Sequence, residues 1–237
     1  LIGNPLTHSF SRNYFREKFE KESLKDHDYE NYQLSSIEEL VPLIADHPFL
    51  EGLNVTIPYK KAVLPFLHDS SHLPIEACNC IRIRKGRMTG FNTDVIGFEN
   101  SLRPMLAKPH RAALVLGNGG ATVAVVHVLK KLGIRPHIVS RKKQEGADLE
   151  YGDLNESLIR EHTLIINTTP LGLYPQIENF PNIPYQFAGS DHLFYDLIYN
   201  PAVSAFLQKG KNQGATIKNG EEMLIIQAEE SWRIWNE

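Results

Sequence analysis

The sequence predicts an α/β chain of two unlike regions, the second built on a parallel sheet. Three observations predict it. From about residue 112, strand-length apolar runs alternate with helical stretches, the pattern of successive β-α-β units. Within the first of these units, Gly117, Gly119 and Gly120 fall between a strand and a helix, in LVLGNGGATVAVVHVL. Residues 1 to about 94, in contrast, mix short strands and helices without that regularity. The 237 residues, 42% of them hydrophobic, are enough to bury a core in one large domain or two small ones.

In the first region, residues 13–22 and 37–45 read as helices. The β-branched run Val55, Thr56, Ile57 is a short strand stopped by Pro58, and Pro58 suits the first turn of a helix running through residues 60–67. Residues 80–84 and 88–91 flank Lys85 and Gly86 as a hairpin. Asn92, Thr93 and Asp94 precede an apolar helical run, which Thr93 or Asp94 can cap. In the second region, residues 112–116 form a buried strand, 121–132 a helix closed by Gly133, and 136–139 a second strand. Residues 164–167 and 193–198 are later strands. Residues 221–235 form the last helix, with Leu224, Ala228 and Trp235 on one stripe.

Composition removes several classes of function. A net charge of -3 does not suit a broad nucleic-acid surface. No apolar run approaches the ~20 residues that span a bilayer, so no membrane partner is expected. No signal-peptide pattern opens the chain, and the missing methionine is expected to place the true start upstream. Ten scattered histidines lack metal spacing, and Cys78 and Cys80 lack a second pair for zinc, so no metal is expected. In a strand the two thiols share a face, and a disulfide across one residue is strained. Two reduced thiols and a cytoplasmic location follow.

A strand, a glycine turn and a helix N-terminus together hold a dinucleotide pyrophosphate. Small residues let the backbone approach, and the helix supplies free N–H groups. The third glycine of the general fingerprint is Thr122 here, and a plain tight turn is the competing reading. The second strand runs into Ser140, Arg141, Lys142 and Lys143, where an NAD enzyme offers Asp or Glu to the ribose. Cations suit a 2′-phosphate, so the residues favour NADP. A solvated basic turn and an Arg141–adenine stack stay open as alternatives.

Four polar stretches stand apart from the nucleotide unit. Ser9 and Ser11 in HSFS face one way in an extended segment and suit a carboxylate, although Ser11 also suits a helix N-cap. Lys60 in NVTIPYK sits in a first helical turn, where the dipole opposes positive charge and favours proton release. From spacing alone, Lys60 reads as a solvated lysine like Lys61. Asp94 in GFNTDVIGF and Asn79 between the cysteines read in isolation as a cap and a turn residue.

Together and in order, these stretches resemble shikimate dehydrogenases over nearly the whole chain. The resemblance is carried by NPLTHSFS, NVTIPYK, ACNC, FNTDVIGF, LGNGGA, INTTPLG, DLIYNP and NGEEMLIIQA. It implies a substrate domain of residues 1–94 plus 221–237 and a doubly wound, Rossmann-like NADP domain of residues 95–220, the last helix returning to the first domain. It implies NADPH-dependent reduction of 3-dehydroshikimate, in the pathway to chorismate and aromatic amino acids, by a monomer or homodimer. Lys60 and Asp94 become the catalytic pair. Ser9, Ser11 and Tyr199 hold the substrate carboxylate, and Thr56, Asn79 and Gln227 its ring hydroxyls. Gly117, Asn118, Gly119, Gly120 and Ala121 hold the pyrophosphate, and Ser140, Arg141 and Lys142 the 2′-phosphate. Thr168, Leu171, Gly220 and Met223 complete the cofactor set.

The chain departs from this family in having Ser140 and Lys142 where asparagine and threonine are usual. Residues 142–165 are also short for a helix and a strand, so a lost helix or missing residues should reduce the sheet beside the adenine. Two other functions compete: a quinate/shikimate dehydrogenase that accepts NAD, and a non-catalytic nucleotide sensor. The basic turn and paired serines disfavour the first, and the presence of both Lys60 and Asp94 disfavours the second.

Overall fold

The structure, a computed structural model, describes residues 1–6, 10–143 and 146–237. In chain order the first elements are β1 (Ile2–Gly3), α1 (Phe10–Lys21), β2 (Tyr32–Gln33), α2 (Leu40–Asp46), β3 (Gly52–Asn54) and α3 (Tyr59–Ala62). Next come β4 (Cys80–Arg84), β5 (Arg87–Phe91), α4 (Thr93–Leu102), β6 (Ala112–Leu116), α5 (Gly120–Lys131), β7 (Arg135–Ser140) and β8 (Leu149–Glu150). The chain closes with α6 (Glu156–Glu161), β9 (Leu164–Asn167), β10 (Leu193–Asp196), α7 (Ala205–Asn212), β11 (Thr216–Lys218) and α8 (Glu221–Asn236). Two compact units result, one of residues 1–93 and 227–237 and one of residues 94–226.

In the first unit, β3, β4 and β5 pair antiparallel, and β1 pairs with β2 in parallel. Lys85 and Gly86 both have positive φ, as the tight hairpin between β4 and β5 requires. An isolated bridge from Ile2 to Val55 carries the pairing one residue past β3. The expected strand over 55–57 is therefore shifted: regular pairing covers Gly52–Asn54, because that is where β4 supplies partners. The expected helix over 60–67 is also cut short. After α3 the chain tightens into a 3₁₀ turn, Leu64–Phe66, because Pro65 has no N–H to continue the helical ladder. The cysteines do not share a face. Cys78 precedes the strand and packs in the cluster of Ile81 and Val63, whereas Cys80 opens β4 and packs in that of Phe15 and Trp235. Neither cysteine is in a disulfide, and both are buried.

The second unit is a six-stranded parallel sheet in the order β11-β10-β9-β6-β7-β8. Strands β6, β9 and β10 are buried at every residue, which explains their unbroken apolar runs. The order reverses at β6, flanked by β7 and β9. The short segment noted above is explained here. The eight residues 141–148 join parallel neighbours β7 and β8, too few for the usual helical crossover. Asp148 completes the return instead: its carboxylate accepts the Ile138 N–H at 2.8 Å, and its own N–H reaches the Ile138 carbonyl at 2.9 Å. The edge strand β8 is only two residues long.

Helix α7 packs on β10 without a side chain at Gly210, where a Cβ would lie 2.6 Å from the Phe194 ring. Phe194 is fully buried and has nowhere to retreat. Gly→Ala in an exposed helix stabilises by about 1 kcal/mol. Gly210→Ala should instead destabilise by roughly 1 to 2 kcal/mol through overpacking. A lower urea midpoint would show this, and an unchanged or higher one would rule it out.

Candidate functional site

In the first unit, main-chain hydrogen bonds bring together three of the candidate residues. The Cys78 N–H donates to the Lys60 carbonyl (2.8 Å), the Val55 N–H to the Asn79 carbonyl (2.9 Å), and the Thr56 N–H to the Ile2 carbonyl (2.9 Å). Thr56, Lys60 and Asn79 thus lie where β3 ends and β4 begins. Lys60 is half-buried there and Lys61 exposed, which separates two lysines that the sequence could not. Because α3 is a single turn, the expected dipole effect on Lys60 has little helix behind it.

Asn79 does more than turn the chain. Its Oδ1 accepts the N–H of Thr93, the first residue of α4, at 2.7 Å, and its Nδ2 donates to the Thr93 hydroxyl at 3.0 Å. Asn79 therefore satisfies the first N–H of α4 from outside the helix, and Thr93 and Asp94 are its first two residues rather than residues preceding it. Asp94 follows as a half-buried carboxylate in the helix's first turn.

Behind these residues runs a buried polar chain that the sequence reading missed. The Tyr29 hydroxyl donates to Asn54 Oδ1 (2.7 Å), and Asn54 Nδ2 donates to the Asn79 carbonyl (3.2 Å) and to the Ser231 hydroxyl (3.0 Å). Ser231 in turn donates to the Gln227 carbonyl at 2.9 Å and lies 3.3 Å from the Thr93 hydroxyl. Gln227 is buried beside this chain. Ser11 touches the Tyr29 phenol, whose ionisation burial pushes well above the normal range. Ser11 is the second residue of α1, so it is neither an N-cap nor part of an extended pair, since the helix begins earlier than its apolar spacing suggested. Ser9 lies outside the described residues.

In the second unit the candidates gather at the carboxyl ends of the parallel strands, where open α/β sheets bind ligands. Gly117, at φ 108°, turns the chain out of β6, and a Cβ there would meet Thr168 Oγ1 at 2.8 Å. Gly119 and Gly120 open α5 with clear space where side chains would stand, so a phosphate can approach their N–H groups. Asn118 is exposed and Ala121 half-buried at the same turn. Thr122 replaces the third glycine without loosening the turn, because its hydroxyl bonds to the Gly117 carbonyl (3.1 Å) and the Thr168 hydroxyl (2.8 Å). At the end of β7, the Ser140 hydroxyl donates to the Lys142 carbonyl at 2.7 Å and accepts the Lys142 N–H. Ser140 thus shapes the basic turn. Arg141 and Lys142 are exposed and, among the described residues, form no ion pair, whereas Lys143 binds Asp153 at 3.0 Å. This glycine cradle with a free cationic turn fits an NADP-type dinucleotide.

Thr168 and Leu171 follow β9, Tyr199 follows β10, and Gly220 and Met223 follow β11. The Thr168 hydroxyl is itself held by the Leu116 carbonyl at 2.8 Å. Gly220 lies so close to the Leu197 carbonyl that a Cβ would clash with it, so its glycine serves packing as well as any cofactor contact. Met223 is buried, and Tyr199 and Leu171 are half-buried. The loops themselves are set by Asn167 and Asp196, two further residues that sequence reasoning passed over. Both are polar residues closing fully buried strands, LIIN and LFYD, and that pattern could have marked them.

Residues 1–81 match the family model for the shikimate dehydrogenase substrate-binding domain. A shikimate dehydrogenase (NADP(+)) of Pelagibacter ubique is 34% identical to this chain, covering 100% of it and 92% of that protein. The crystal structure of a shikimate dehydrogenase from Aquifex aeolicus superposes with a TM-score of 0.85 at 30% identity, covering 99% of this chain and 90% of that one. A Thermus thermophilus shikimate 5-dehydrogenase, solved with NADP(H) and shikimate, gives a TM-score of 0.84 at 29% identity, covering 99% and 91%.

Burial pushes the Asp196 carboxyl up to about 6, against hydrogen bonds from Ser204, the Ile198 N–H and Asn167 that favour its ionised form. An aspartate in the unfolded chain titrates near ~3.9. Between these values the folded protein holds a proton that the unfolded chain has lost. This group therefore adds stability as pH falls from 6 towards 4, on the order of 2 to 3 kcal/mol in all. Asp196→Asn should flatten that part of the stability–pH curve. Parallel curves for variant and wild type in denaturant melts would contradict the assignment.

Proposed function

The chain belongs to the shikimate dehydrogenase family, and from that premise we propose that Lys60 and Asp94 are its catalytic pair in the reversible reduction of 3-dehydroshikimate to shikimate. NADPH, when bound, supplies the hydride. Reduction of the ketone leaves developing negative charge on oxygen, which needs a proton or a cation. Lys60, as an ammonium, supplies either. The Asp94 carboxylate accepts a hydrogen bond from a ring hydroxyl of the substrate. The observation that carries this reading is the setting of Lys60: half-buried, its main chain bonded to Cys78, with Thr56 and Asn79 beside it and Lys61 exposed.

The remaining roles follow from the donors available. Ser9, Ser11 and Tyr199 offer neutral hydroxyls to the substrate carboxylate. Thr56, Asn79 and Gln227 take its ring hydroxyls. Thr93 occupies the Asn79 carbonyl oxygen and one amide hydrogen, so the second Nδ2 hydrogen is what Asn79 offers. A site built from such fixed partners strongly rejects analogues that lack a hydroxyl. Arg141 and Lys142 hold the 2′-phosphate, and the N–H groups of Gly119 and Gly120 the pyrophosphate. A cytoplasmic setting belongs to this reading, supported by Cys78 and Cys80 being reduced thiols rather than a disulfide.

Lys60→Ala should lower turnover by about 10² to 10⁴-fold while leaving NADPH affinity intact, since the glycine cradle stands on β6. Turnover equal to wild type would remove Lys60 from the mechanism. Arg141→Ala should cost about tenfold in kcat/KM with NADPH and little with NADH, the loss of one charge-assisted bond. Equal losses with both cofactors, or a wild type that uses NADH as well as NADPH, would refute the phosphate role.

A further inference from the structure

We propose that Asp196 is a positioning residue for hydride transfer, its carboxylate anchoring the two loops that carry Thr168, Leu171 and Tyr199. The inference rests on the reading above, in which these three side chains face cofactor and substrate.

Asp196 is the last residue of β10 and is fully buried. Its Oδ1 accepts from Asn167 Nδ2 and from the Ile198 N–H, both at 3.0 Å, and its Oδ2 accepts from the Ser204 hydroxyl. Three donors therefore converge on one carboxylate. The Ile198 bond fixes the chain immediately before Tyr199, and Ser204 is the N-cap of α7, so the loop between β10 and α7 is held at both ends.

The other loop is held through Asn167, the last residue of β9. Asn167 Oδ1 accepts both the N–H (3.0 Å) and the hydroxyl (2.7 Å) of Thr169, and Thr169 Oγ1 accepts the Leu171 N–H at 3.3 Å. Every bond in the series has a fixed direction. Asp196 demands a donor and the Thr169 N–H demands an acceptor, so the Asn167 amide has only one orientation that satisfies both. The loop from Thr168 to Leu171 inherits that orientation.

An apolar side chain would fill the same volume at the end of a core strand at lower cost, because a buried carboxylate is expensive unless donors surround it. What the carboxylate adds is the simultaneous fixing of two separate loops. A displacement of about 1 Å in either would matter to the reaction, since hydride transfer depends on close alignment of the reacting atoms. Asparagine at 196 keeps an acceptor for Asn167 and Ile198 but turns an amide towards Ser204, whose hydroxyl then loses its acceptor. Alanine removes all three.

The test uses Asp196→Asn, Asp196→Ala and Ser204→Ala in the full chain. It reads kcat with 3-dehydroshikimate at saturating NADPH, the NADPH dissociation constant by fluorescence, and amide hydrogen exchange. For Asp196→Asn, kcat should fall at least about tenfold while the NADPH dissociation constant stays within about threefold, a split that simple unfolding would not produce. Asp196→Ala should fall further and Ser204→Ala less. The Thr169, Leu171 and Ile198 amides should exchange at least about tenfold faster in Asp196→Asn, with β6 unchanged. A kcat within twofold of wild type, or a kcat loss without faster exchange at those amides, would overturn the proposal. If the wild type does not turn over 3-dehydroshikimate, the functional reading fails by itself. Exchange then decides separately: unchanged rates in Asp196→Asn would remove the anchor, and faster ones would retain it.

Discussion

Asn54, 5% exposed at the end of β3, must find partners for both ends of its amide, and the way it does so organises the first unit. Its Oδ1 accepts a hydrogen bond from the Tyr29 hydroxyl, and its Nδ2 donates to the Asn79 carbonyl and to the Ser231 hydroxyl. Those three partners come from three separate parts of the chain. Removing any one would leave a buried polar group unpaired, which costs more than the bond itself contributes. With the Asn79 main chain held in this way, its side chain accepts the N–H of Thr93, the residue that opens α4. The path of the Asn79 segment is thus tied to satisfying one buried amide.

The second unit repeats the logic with a charge. Asp196 and Asn167 close neighbouring parallel strands and bond to one another at 3.0 Å. Apolar packing fills the sheet beneath them, yet it has no directional preference and cannot set the path of a loop. Hydrogen bonds to a fully buried carboxylate can, at a cost in stability that the raised titration of Asp196 records. Both units therefore place a polar anchor at the carboxyl end of strands and hang the functional loops from it.

Legibility in the sequence followed the range of the forces involved. The strands over 112–116 and 164–167 match the residues read from the sequence alone, because a strand buried on both faces needs an unbroken apolar run. The glycine turn was legible for a similar reason: backbone freedom and close approach are properties of the residues themselves. By contrast, β3 was misplaced by three residues and β8 was not seen. A strand of two or three residues exists only where a partner strand lies. The two thiols, separated by one residue, pack into different clusters because Cys78 lies outside β4 and a bend at Asn79 separates it from the strand.

What the sequence by itself determined was the alternation that makes a parallel sheet, the glycine cradle and the cationic turn after β7, each specified by residues close together in the chain. Only the tertiary structure decided that Lys60 rather than Lys61 is drawn inward, that Asn79 bonds the first residue of α4, and that Asp196 fixes Asn167. Each of these depends on a buried donor meeting an acceptor from a distant segment. Burial is a property of the whole packed unit, and no local stretch of sequence contains it.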